Sequence, residues 1–172
     1  MKRNNVLVVF YSRSGTTRKV ASVLARMLDA DSEEIVDIGG RAGPFGYLRS
    51  LIEAVNGRPA DIARAKRDAA GYDLVVIGTP VWADSVSSPV RAYLVANRSR
   101  LQRVAFFCCF GRRRSKAALT QMRALAGKAP LAECELTARE SLHSEASQVL
   151  SEFVERIERN LPLPSQASGA RV

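Results

Sequence analysis

Residues 12–17 read Ser12-Arg13-Ser14-Gly15-Thr16-Thr17, directly after the apolar run Val6-Leu7-Val8-Val9-Phe10. A hydroxyl-rich turn between a buried strand and a helix start is suited to holding an anion. The free N–H groups of the first helical turn can face such an anion, and the hydroxyls of Ser12, Ser14, Thr16 and Thr17 can add donors to the cradle. Residue content narrows which anion. No Gly-Lys-Ser/Thr closes the loop, as a nucleoside triphosphate site of the Walker type requires, and the spaced glycines of a dinucleotide fingerprint are missing. Neither this strand nor the next strongly apolar one ends in an acidic cluster that would hold magnesium beside a phosphoacceptor aspartate. A phosphate gripped by backbone and hydroxyl groups remains.

Two further stretches stand where loops should follow strands. Gly78-Thr79-Pro80-Val81-Trp82-Ala83 carries the single tryptophan of the chain, and Cys108-Cys109-Phe110-Gly111 follows another apolar run. Loops that leave parallel strands line the ligand crevice at a topological switch point, which brings both toward the hydroxyl loop. Three cysteines, Cys108, Cys109 and Cys134, and the lone His143 suggest neither a disulfide scaffold nor a metal set, so a reducing, cytoplasmic setting is expected. His143 reads as a cap or surface residue, and Asp84, Ser85 and Ser87 as loop or helix-start residues. The run from Val6 to Phe10 is too short for a membrane span.

These loops need a scaffold, and the periodicity supplies one. Strands are predicted at 5–10, 35–38, 72–78, 103–109 and about 131–136. Helices are predicted at 16–29, 88–97, 114–126 and about 143–160. Between the second and third strands, residues 43–52 read as a turn passing into a helix through Val55, ended by Gly57-Arg58-Pro59. Nearly continuous apolar runs at 72–78 and 103–109 fit strands covered on both faces, and the alternation predicts a three-layer α/β domain. A chain of 172 residues with 47% hydrophobic content has enough apolar material for one such domain, with no repeat and no second domain. Residues 1–160 are assigned to it, and 161–172 to a disordered tail that starts at the prolines Pro162 and Pro164.

With these residues in view, the chain resembles the flavodoxin family and its flavodoxin-like relatives. Ser12-Arg13-Ser14-Gly15-Thr16-Thr17 is similar to the family's phosphate loop, commonly Thr-x-Thr-Gly-x-Thr, with serines in place of the first two threonines. The resemblance implies a five-stranded parallel sheet in the order 2-1-3-4-5, with FMN as cofactor. It further implies that Ser12, Ser14, Gly15, Thr16 and Thr17 hold the phosphate, with Arg13 closing over it or facing solvent. Thr79, Pro80, Val81, Trp82 and Ala83 would border the flavin ring, with Trp82 stacked on it and a backbone carbonyl within 81–84 near ring atom N5. Cys109, Phe110 and Gly111 would meet the pyrimidine end. The flavin supplies the redox chemistry, so no catalytic acid or base and no metal is implied.

Charge separates this chain from familiar electron-carrier flavodoxins, which are acidic. Lysine and arginine total 26 against 17 acids, a formal charge of +9, and residues 111–128 hold Arg112, Arg113, Arg114, Lys116, Arg123 and Lys128 without an acid. That patch would steer an acidic redox protein or an anionic substrate and raise the flavin potential. The short chain favours an electron carrier cycling the flavin between oxidised, semiquinone and hydroquinone states. The alternatives are an NAD(P)H-dependent quinone or nitro-compound reductase and a nonredox basic binding module. Nucleic acid is not an expected partner.

Overall fold

The computed structural model describes residues 4–39, 60–111, 116–140 and 145–162. The predicted turn and helix at 43–55, the break at 57–59, Arg112 to Arg114, His143 and residues 163–172 lie outside them. The described chain runs β1 (Val6–Phe10), α1 (Thr16–Met27), β2 (Asp31–Glu34), β3 (Leu74–Trp82), β4 (Ser85–Val86), α2 (Ser88–Asn97), β5 (Val104–Phe110), α3 (Ala117–Ala126), β6 (Glu133–Thr137) and α4 (Glu145–Asn160). The sheet order is β2-β1-β3-β5-β6, all parallel, with β4 attached antiparallel to β3. Apart from the short β4, this is the anticipated 2-1-3-4-5 order.

Each central strand is buried on both faces, and the period-2 alternation divides its residues between two cores. Leu7, Val9, Tyr11, Val75, Ile77, Phe106, Cys108 and Phe110 pack with Val90 and Leu94 of α2 and Leu119 and Met122 of α3. Val6, Val8, Phe10, Leu74, Val76, Phe107 and Cys109 pack with Val20 and Leu24 of α1 and Leu150, Phe153 and Ile157 of α4. Each fully buried aliphatic or aromatic side chain contributes about 1.5–3 kcal/mol, so this double core fixes the level at which every strand ends. No helix among the described residues is long and apolar enough to cross a membrane.

Two strand assignments differ from the sequence reading. The second strand is Asp31–Glu34, in register with Leu7 to Phe10, rather than 35–38. This is an edge strand whose outward groups are polar. Glu33 accepts the backbone N–H groups of Lys66 and Arg67 at 2.6 and 2.9 Å, and Asp31 accepts from Tyr72 at 2.8 Å. Apolar periodicity points instead to Ile35, Val36 and Ile38, yet only Ile35 is buried, while Val36 and Ile38 are 53% and 64% exposed. The third strand runs on to Trp82 and folds back, Val81 pairing with Val86 and Trp82 with Ser85. The expected loop at 79–83 is therefore mostly strand, because the hairpin lies beyond the parallel ladder and needs no apolar run.

At the opposite edge, β6 is covered by side chains. Arg156 donates to the carbonyl of Glu133 at 2.9 Å, Asn160 to that of Leu131 at 2.9 Å, and Glu140 accepts the N–H of Thr137 at 2.7 Å. Arg123, counted from sequence within an acid-free basic patch, is held in a bidentate pair with Glu133. Lys116 is an exposed described cation of that stretch.

Candidate functional site

The turn after β1 is shaped by Gly15. Its φ of 92° and ψ of −13° lie in the left-handed region, which glycine enters without Cβ strain. Its N–H donates to the Ser12 hydroxyl at 3.1 Å, closing the loop on itself. Helix α1 starts immediately afterwards with no side-chain cap and no acid in its first turn, and its first intrahelical bond is Lys19 N–H to Gly15 carbonyl at 3.0 Å. Helix geometry leaves the N–H groups of Thr16, Thr17 and Arg18 without intrahelical acceptors, so the positive end of the dipole opens onto the loop. Ser14 and Thr16 hydroxyls lie 3.4 Å apart at this mouth. Arg13 is exposed, and Arg18 is drawn aside by a bidentate pair with Glu34 at 2.9 and 2.7 Å.

The other predicted residues divide into those facing the mouth and those beneath it. Pro80, Val81 and Trp82 are half-buried, and Ala83 is exposed at the hairpin tip. The Trp82 ring meets the Tyr11 ring edge to face, with centroids 5.7 Å apart. Thr79 is fully buried and turns its hydroxyl to Ser87, whose hydroxyl lies 3.0 Å away and whose N–H donates to it at 3.1 Å. Thr79 thus anchors the hairpin from below. Thr17 is also buried, and its hydroxyl bonds the Cys109 thiol, so it offers the mouth its backbone N–H. Phe110 is buried in the core on the α2 and α3 face, leaving Gly111 as the exposed residue at the end of β5.

The Thr17 to Cys109 and Tyr11 to Trp82 contacts join all three strand exits. Tyr11 N–H also donates to the Gly78 carbonyl at 3.3 Å. Sequence reasoning missed Tyr11 as a site residue, although an aromatic at a strand exit was visible in the sequence. It also missed Arg91 and Gln121, which reach the hairpin from two helices and leave no local sequence signal. A cavity of about 830 Å³ lies at the other end of the sheet among Asn4, Asp29, Asp31 and Tyr72, away from these donors.

Burial makes the thiols inert. It pushes the Cys109 thiol from an ordinary 9.0 up to about 12, the Thr17 hydrogen bond pulling partly the other way, and it raises the Cys108 thiol as well. The unfolded chain loses these protons at lower pH than the folded one, so stability should fall as pH climbs above about 9. Each thiol contributes a slope of up to about 1.4 kcal/mol per pH unit. Urea midpoints at about pH 8 and about pH 10 check this. Unchanged midpoints would mean that the thiols ionise freely in the folded protein.

A parallel sheet that reverses its winding beside β1, with an uncapped helix start at that reversal, is the arrangement of the flavodoxin-like fold. Sequence comparison narrows the class. The family model described as NADPH-dependent FMN reductase matches residues 5–132, and the chain belongs to that family. None of the curated proteins matches the chain in sequence. Among solved structures, it is similar to a flavoprotein in complex with FMN from Lactobacillus acidophilus NCFM, with a TM-score of 0.67 and 22% identity over 84% of this chain and 99% of that one. It is similar to an NADH:FMN oxidoreductase in its apo form, at 0.54 and 17% over 95% and 92%. Two-electron reduced flavodoxin from Megasphaera elsdenii gives 0.56 and 14% over 90% and 98%. At these identities the structural likeness is one of fold.

FMN is the cofactor that family membership gives the chain. The donor set fits its phosphate: N–H groups with no intrahelical acceptor, two hydroxyls, a glycine turn and no carboxylate in the first turn of α1. Among the described residues no cluster of His, Cys, Asp or Glu could hold a metal ion.

Proposed function

We propose that this chain is an FMN-dependent oxidoreductase that accepts reducing equivalents from NAD(P)H and delivers them to a small acceptor such as a quinone or nitro compound. The observation that carries this reading is the family match over residues 5–132, a span containing all three strand exits of the candidate site. Bound FMN supplies hydride and electron transfer. The chain's part is to bind and orient it. The N–H groups of Thr16, Thr17 and Arg18, with the hydroxyls of Ser14 and Thr16, hold the phosphate. Trp82 covers apolar ring surface and excludes water from it. The backbone of residues 81–84 and of 109–111 borders the polar edges of the ring. Residues 1–160 form the FMN domain, and the buried thiols of Cys108, Cys109 and Cys134, none in a disulfide, suit a cytoplasmic location.

A second reading, an electron carrier serving an acidic redox protein, is favoured by the net charge of +9. Anaerobic mixing of the FMN-loaded protein with NADPH or NADH separates the two. A reductase bleaches the flavin absorbance at about 1 s⁻¹ or faster and turns over with a quinone. A carrier stays oxidised until a reductase protein is added. Folded protein that takes up no FMN would leave only the nonredox binding module.

A further inference from the structure

The hairpin that carries Trp82 turns through Ala83 at φ 47° and Asp84 at φ 59°, two consecutive non-glycine residues in the left-handed region. A two-residue turn with both φ values positive matches strand twist but favours asparagine and glycine. Alanine has neither glycine's freedom nor a side chain that bonds locally, so it keeps this conformation only where its surroundings enforce it. The enforcement comes from α3. The side-chain oxygen of Gln121 accepts three donors: the Ser85 hydroxyl at 2.8 Å, the Val86 N–H at 3.2 Å and Arg91 Nη2 at 3.0 Å. Arg91 Nη2 also reaches the Ser85 hydroxyl at 3.3 Å. Among the described residues no carboxylate pairs with Arg91, and its Nε is buried without a partner. One amide oxygen thus ties the returning strand to the start of α2 and compensates a half-buried cation.

We propose that Gln121 is a positioning residue for the cofactor: by clamping β4 and Arg91 it holds residues 82–84 in their strained turn, and so sets the difference in affinity between reduced and oxidised FMN. This rests on the reading that the hairpin borders the flavin ring. Groups at the polar edges of a flavin tune its potential, and a tip free to move presents those groups in several positions. Gln121 itself lies beneath the hairpin, acting on the ring through Ser85, Val86 and Arg91.

The test uses the full chain with Gln121→Leu, which removes the acceptor at similar bulk, and Gln121→Glu, which keeps an acceptor for Val86 and Arg91. In the apoprotein, Gln121→Leu should speed amide exchange at Val86 by roughly tenfold, while Gln121→Glu keeps it slow. In the holoprotein, Gln121→Leu should change the ratio of Kd values for oxidised and reduced FMN by about threefold or more, read as a shift in midpoint potential. Ala83→Gly, which relaxes the turn without touching Gln121, should shift the same ratio and covers the case in which Gln121→Leu fails to fold. Wild-type exchange at Val86 in Gln121→Leu, or an unaltered ratio in the folded variants, overturns the proposal while leaving FMN binding intact. A wild-type chain that binds no FMN overturns the flavin reading itself, and the proposal with it.

Discussion

Replacing Thr16 with glutamate is expected to weaken FMN binding by roughly a hundredfold or more, about 3 kcal/mol, while the apoprotein becomes no less stable. The two effects have opposite signs because one feature causes both. The first turn of α1 has no acid, no side-chain cap and unsatisfied N–H groups, so a carboxylate at Thr16 would gain about 0.3–1 kcal/mol from the helix dipole. On the proposed reading of the site, the same carboxylate would sit where the phosphate binds and repel it. Thr16→Gln, neutral and of similar length, separates charge from bulk. Fluorescence titration with FMN and urea unfolding of the apoprotein give the two numbers. Undiminished affinity in Thr16→Glu would place the phosphate somewhere other than the end of β1.

Gly78→Ala carries the largest expected cost to the fold. Gly78 lies between Phe10 of β1 and Phe107 of β5 in the register of the central strands. A Cβ built there would sit 1.9 Å from Phe107 Cζ and 2.4 Å from both Cε atoms. The Phe107 ring is fully buried, so it has no open space to enter. Overpacking of this kind costs about 1–3 kcal/mol in ordinary cores, and a ring at this distance belongs at or above the top of that range. Urea unfolding should show a loss of about 3 kcal/mol or more. Combining the change with Phe107→Leu should recover part of it, because the two side chains compete for one volume. A single variant as stable as wild type would mean that the ring repacks freely. FMN affinity should fall too, since the Gly78 carbonyl accepts the N–H of Tyr11 beneath the turn proposed to hold the phosphate.

How much of this was legible in the chain depended on what each part must bury. The central strands were readable because both faces are apolar: residues 74–77 and 104–108 could hardly be anything else. The hydroxyl loop was readable because Gly15 and its Ser/Thr neighbours follow such a strand without interruption. Edge strand Asp31–Glu34 was not, since its stabilising partners are charges and backbone groups more than thirty residues distant, which no local pattern encodes. The hairpin at 82–85 was hidden for a related reason. Ala-Asp is a poor signal for a tight turn, and the side chain that enforces it, Gln121, is 36 residues from Ser85. Thr79 lies in β3, Phe110 at the end of β5 and Thr17 in the first turn of α1, yet sequence could not tell an inward side chain from an outward one. Position along the chain gave their height relative to the sheet, while core packing decided their direction.

The side chains laid along β6 bear on how copies of this molecule could meet. Arg156, Asn160 and Glu140 occupy the carbonyl of Glu133, the carbonyl of Leu131 and the N–H of Thr137, which are groups an incoming strand would need. Polymerisation by sheet continuation, the standing hazard of an open β-edge, would first have to break three hydrogen bonds. Self-association on this flank is thereby directed to helix and loop surfaces, where it leaves the ladder untouched.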